Sequence, residues 1–259
     1  NSCFYFILIS IRTIISVNYT VEEFGYFTFS FTIANAVMLL LDSFNTILFP
    51  KTIDLMSSDD NKKKADALEK MRVGYILTSH MLVYLAMICF PILVWFIPKY
   101  MPALSSMNMI ALAVLMNTNS YGYSNMLIAQ NKEHKAGFIS AVSLIVNIIL
   151  GLGLAKILNV EYSYITIAIL VAYMISSFLM AYEGDTILRR EKSVSYTLKH
   201  FFPIRMFIPY MIALIISCTQ IEYLIFIPLL VFIMLNYKDL QFLKNIALKL
   251  IKEPEVIDV

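Results

Sequence analysis

Residues 24–50 read FGYFTFSFTIANAVMLLLDSFNTILFP, a run whose single charged residue is Asp42. As a helix rising 1.5 Å per residue it would extend about 39 Å, more than the roughly 30 Å hydrocarbon core of a bilayer. It shows no strand-like alternation. Backbone polar groups in hydrocarbon must be satisfied inside the segment, so the run reads as a transmembrane helix that tilts or projects. Glu22 and Glu23 precede it, and Pro50 and Lys51 follow. The proline is expected to stop the helix and the lysine to meet the headgroups.

Seven further apolar runs flank this one, at about 1–17, 73–97, 107–130, 138–157, 163–182, 204–219 and 221–236. The basic residues fall in every second gap. Six lie in 51–72, Lys132 and Lys135 in the next such gap, five in 183–205 and four after Asn236. The gaps around Glu22, Lys99, Glu161 and Glu222 hold none or one. Because basic residues near span ends stay on the cytoplasmic side, both ends of the chain are expected there. Composition agrees: 59% hydrophobic, 15% charged and a mean hydropathy of +0.74, where a soluble domain carries about a quarter charged residues. The expected fold class is all-α, a polytopic transmembrane helix bundle of about eight spans. The net charge of +2 sits in helix-flanking loops and implies no nucleic-acid partner. Cys3, Cys89 and Cys218 lie within apolar runs, lack metal or redox spacing, and read as small packing residues.

Local signals refine this outline. Ser57-Ser-Asp-Asp60 before a mixed-charge run reads as an N-cap and a short surface helix, with Asp66 and Lys70 paired at i,i+4. Trp95, Phe96, Pro98 and Tyr100 form an aromatic belt for the outer interface. Gly151 and Gly153 permit close helix approach. Leu240, Leu243, Ile246, Ala247 and Leu250 share a face of the tail, expected to lie on the inner membrane surface.

No His, Cys, Asp or Glu cluster has ligand or nucleophile spacing, so neither a catalytic group nor a metal site is expected. Polarity inside the membrane remains. Thr28, Thr32, Asn35, Asp42 and Thr46 fall within an arc of about 80° and form one stripe on the long helix. An ionisable residue at membrane depth marks a functional site by default, so Asp42 reads either as a coupling or substrate group or as a carboxylate that packs helices. Arg12, the only basic residue of the first run, suits either snorkelling or a fork-like grip on phosphate or carboxylate. Asn117, Ser120, Tyr121 and Ser124 share a face, lining a hydrated cavity or bonding neighbouring helices. His80 is either proton-sensitive or a buried, hydrogen-bonded ring.

Certain stretches also carry a likeness. Val21-Glu-Glu-Phe-Gly-Tyr-Phe-Thr-Phe-Ser-Phe31 followed by Leu48-Phe-Pro-Lys51 resembles the seventh-to-eighth helix region of polysaccharide (O-antigen type) flippases, and Ile128-Ala-Gln-Asn-Lys132, Lys135-Ala and Leu144-Ile-Val-Asn-Ile-Ile149 resemble their tenth and eleventh helices. That family belongs to the multidrug/oligosaccharidyl-lipid/polysaccharide exporter superfamily. The likeness covers residues 1 to about 182 and departs at Asn159–Tyr164, where the family has a Gly-rich motif.

The resemblance implies the second six-helix lobe of a two-lobed transporter at 1–182. A cytoplasmic basic linker at 183–203, an additional two-helix hairpin at 204–236 and a cytoplasmic amphipathic tail at 237–259 would follow. It also implies a bacterial cytoplasmic (inner) membrane and a lipid-linked oligosaccharide as cargo, moved by alternating access without bond chemistry. Membrane lipid, a preceding lobe and polysaccharide polymerase machinery are the implied partners. The chain opens at Asn1 directly into an apolar run, as a fragment would. Substrate-cavity candidates are Arg12, Asn35, Asp42, Asn117 and Tyr121. Asp42 and His80 are candidates for proton or ion coupling, with H+ or Na+ both open and no other cofactor expected. The rival readings are a cation-coupled multidrug exporter of the same superfamily, a membrane-bound glycan polymerase or acyltransferase, and a non-catalytic membrane scaffold.

Overall fold

The computed structural model describes residues 2–57, 61–189 and 193–241, and these are helical with no strand among them. The helices are α1 (Ser2–Asn18), α2 (Val21–Ser57), α3 (Asn61–Phe96), α4 (Leu104–Thr118), α5 (Tyr123–Ala129), α6 (Glu133–Leu152), α7 (Thr166–Arg189), α8 (Val194–Phe201), α9 (Ile204–Thr219) and α10 (Ile227–Leu235). Five helical stretches are long and apolar enough to cross a membrane, and the bent pair α8 and α9 makes a sixth if it counts as one span. The expected count of about eight is therefore larger than the structure supports by length alone. Phe6–Asn18 and Glu222–Leu235 are shorter apolar helices.

α4 is the axis of the bundle. All of its residues except Asn117 are buried, because α2, α3, α7 and α9 surround it. A helix enclosed on all sides needs no polar face, so its polar residues have to find partners within protein. Ser105 does so by donating to the Ser217 carbonyl at 3.0 Å, which ties α4 to α9.

α1 is fastened to α6. Asn147 Nδ2 donates to the Ile7 carbonyl at 2.9 Å and to Ser10 Oγ at 2.8 Å. The helices approach closely at Gly151, where an added Cβ would stand 2.7 Å from Ile11 Cδ1 and 2.9 Å from Ile14 Cδ1. Gly153 has open space around it and instead begins a π-helical turn, Gly153–Ile157, so of the two glycines only Gly151 serves close packing.

Alternate connections gather at opposite ends of the bundle. At one end Tyr19 OH donates to the Val160 carbonyl at 2.6 Å, Tyr162 OH to Pro102 at 2.6 Å and Tyr164 OH to Cys218 at 3.0 Å. Trp95 and Phe96 are exposed near this end, and Tyr100 stacks on Phe29 at 4.0 Å. At the other end Lys135 pairs with Glu183 at 2.5 Å, and Arg205 pairs with Asp239.

Several local expectations give way. α2 continues through Pro50 to Ser57, and α3 already begins at Asn61, so the expected surface helix is a continuation of the long helices. A proline deletes one backbone donor and kinks a helix, but the turns beyond it can still form, as they do past Pro91 within α3. The run 107–130 is not continuous either: it breaks at 119–122 between α4 and α5. The basic linker is largely helical, comprising the end of α7 and all of α8. Cys89 is exposed rather than packed, and Cys218 is half-buried. The cap at 58–60 and the tail beyond Gln241 lie outside the described residues, as does the side chain of Asp66.

Candidate functional site: a polar cavity at the helix break

The break after α4 follows from its own residues. Thr118 Oγ1 donates to the Leu115 carbonyl at 2.7 Å and Ser120 Oγ to the Asn117 carbonyl at 2.9 Å, local bonds that compete with the helical ladder. Gly122 then adopts φ 82°, a backbone conformation for which glycine is suited, and the chain re-enters helix at Tyr123. Arg72 of α3 secures the break by donating from Nη2 to the Asn119 carbonyl at 3.2 Å.

Beside the break lies a cavity of about 160 Å³, reached by α1, α2, α3, α6 and α7 as well as by the break itself. Its polar lining includes Asp42, Tyr75, Asn117, Tyr121, Ser140 and Ser176. Tyr75 and Tyr121 stack with ring centroids 4.0 Å apart and planes 21° apart, forming one wall. Asp42 is half-buried and has no ion-pair partner among the described residues. Such a volume holds about five waters at liquid density and lies below the roughly 300–1,000 Å³ of drug-sized pockets. In this conformation it suits a proton, a cation or a few waters.

Of the six cavity and coupling candidates three meet here, Asp42, Asn117 and Tyr121, and Ser120 and Ser124, read on one face with the last two, line the cavity as well. Asn35 is half-buried two turns before Asp42 on α2, its Oδ1 buried without a partner among the described residues, and does not line the cavity. Arg12 is exposed on α1, its guanidinium 5.5 Å from the centre of the Phe24 ring. His80 is fully buried elsewhere, with Nδ1 3.2 Å from Tyr84 OH and its ring stacked on Phe232 of α10 at 5.4 Å. Of the polar stripe on α2, Thr32 and Thr46 are exposed and bond back to carbonyls of their own helix. Among the described residues no group of three or more His, Cys, Asp or Glu is placed to hold a metal ion.

Sequence reasoning overlooked a second feature below the cavity. Arg72 is almost fully buried, with Nη1 donating to Tyr123 OH at 3.1 Å and to Glu69 Oε2 at 3.3 Å. Tyr123 OH donates to Asp185 Oδ1 at 2.9 Å, and Thr197 Oγ1 donates to Asp185 Oδ2 at 3.0 Å. One polar chain thus links α3, α5, α7 and α8. Its sequence signal was the position of Arg72 and Asp185, each within a turn of an apolar run and therefore able to be drawn in when the helix continues past it.

Comparison with protein-family models, curated proteins and solved structures finds no match to this chain.

Proposed function

We propose that this chain is a lobe of a transporter that carries lipid-linked oligosaccharide across a bacterial cytoplasmic membrane by alternating access, without making or breaking bonds. The observation that carries the reading is a carboxylate, Asp42, facing a polar cavity within the helix bundle. Asp42 stands next to the last residue of the candidate span Val21–Ser43, and an ionisable group within a span is by default a functional-site candidate. The order and spacing of the flippase-like motifs supply the cargo class.

In this reading the small cavity serves coupling, with H+ or Na+ at Asp42, and the glycan passes between this lobe and a companion lobe. Arg12, exposed on α1, is free to face that companion and the anionic cargo. The short helices α1, α9 and α10 complete an eight-span arrangement with both ends cytoplasmic.

The test is complementation in a bacterial strain lacking its glycan flippase, with the companion lobe supplied. Restored surface polysaccharide without drug efflux supports the proposal. Efflux without surface glycan moves the assignment to a cation-coupled drug exporter, and neither activity removes transport from consideration.

A further inference from the structure

A second cavity, of about 190 Å³, opens at the basic end between α3, α8 and α9. Its charged lining comprises Arg72, Lys199, Arg205 and Glu69, with His200 beside them; Arg72 is paired with Glu69 and Arg205 with Asp239, which leaves Lys199 as the cation without an ion pair among the described residues. Arg72 is only 2% exposed, yet its Nε is buried with no hydrogen-bond partner among the described residues. The guanidinium has five N–H donors, and the contacts to Glu69, Tyr123 and Asn119 use only Nη1 and Nη2. A buried donor left without a partner costs free energy, and Arg72 is one of the residues that line the cavity. Glu69, half exposed and at 3.3 Å, is a weak competitor for the same group. Lys199 is exposed and has no ion pair among the described residues.

The setting indicates where the acceptor comes from. α8 is capped by Ser193, whose Oγ accepts from the Tyr196 N–H at 3.3 Å, and it meets α9 at a 65° bend. It buries Thr197 and Phe201 while exposing Val194 and Leu198. A short helix with an apolar outer face beside lysine, lying across the end of a bundle, fits the boundary between acyl chains and headgroups. The anion most concentrated at that depth is a lipid phosphate, and clustered Lys and Arg beside transmembrane helices attract it.

We infer that this cavity binds the phosphate group of an anionic membrane lipid, with Arg72 and Lys199 as its main contacts and Arg205 at its rim. The site needs only a headgroup layer at α8, so it stands or falls apart from the transport proposal.

The test titrates the purified full chain in neutral detergent with short-chain phosphatidylglycerol, short-chain phosphatidylcholine or inorganic phosphate, counting bound ligand by native mass spectrometry. Phosphatidylglycerol should bind in preference to both others. Lys199→Gln should weaken it by about two- to fivefold, the effect of losing one exposed ion pair. Glu69→Gln should tighten it, a gain that a misfolded variant would not produce. Equal binding of the two lipids, or unchanged affinity in both variants, overturns the inference. Inorganic phosphate binding as well as phosphatidylglycerol, with the same variant dependence, assigns the site to a soluble phosphate and overturns the lipid assignment.

Discussion

Arg72 and Asp185 are joined through a single hydroxyl, that of Tyr123, which accepts from the guanidinium at 3.1 Å and donates to the carboxylate at 2.9 Å. The Arg72 guanidinium also lies 4.4 Å from the centre of the Tyr123 ring, so the same side chain serves both its charge and its flat face. Deleting either charge leaves the other buried and under-compensated. Asp185→Ala is expected to cost about 3–5 kcal/mol, and Tyr123→Phe, which removes only the bridge, about 1–3 kcal/mol. Equilibrium unfolding in mixed detergent would reveal the order, and an Asp185→Ala protein as stable as the parent would show that the chain of bonds holds nothing.

Gly184 lies against the same ring. A Cβ built there runs into Tyr123 Cδ1, and the ring is pinned by Arg72 on one side and Asp185 on the other. Gly184→Ala should therefore destabilise by about 1–3 kcal/mol, although alanine normally favours a helix over glycine. A thermal melt that rises instead would mean the ring is free to move.

Asp42→Asn keeps the size of the side chain and removes its charge. If the cavity couples transport to a cation, surface glycan in the complemented strain should fall at least tenfold while membrane insertion, measured by protein level in the membrane fraction, stays unchanged. Full glycan at normal protein level would assign Asp42 to helix packing alone.

Asn147 makes two contacts to α1, and Gly151 sets how near the helices lie. Asn147→Leu should cost about 0.6–2 kcal/mol, the range for polar contacts between transmembrane helices. Gly151→Val should loosen α1, read as faster modification of a cysteine placed at buried Ile15. Unaltered labelling would mean that the isoleucines give way without moving the helix.

The helical class was legible because hydrophobic runs and basic gaps are properties of composition along the chain, insensitive to tertiary detail. Gathering of alternate gaps at opposite ends, shown by Tyr19 with Val160 and Lys135 with Glu183, follows from the same pattern. The break at 119–122 was not legible. Asn117, Ser120, Tyr121 and Ser124 share a face of an unbroken helix, and that geometry already brought Asn117 and Tyr121 to one side. Only the packed bundle shows that Arg72 takes up a carbonyl released by unwinding. Pro50 misled for a related reason: a proline lowers helix propensity locally, whereas continuation depends on the turns beyond it. Arg12 and His80 were judged by residue type, but their surroundings, Phe24 for one and Phe232 for the other, come from distant packing.

The grip of Asn147 on α1 also bears on how the chain is made. Ser10 and Asn147 are 137 residues apart, so at about 5–20 residues per second the ribosome needs about 7–27 s to deliver one after the other. During that interval α1 has been synthesised while the side chain that will clamp it has not. Docking of α1 on α6 therefore waits on synthesis of α6, and a cell that stalls translation before α6 would hold α1 still awaiting its clamp.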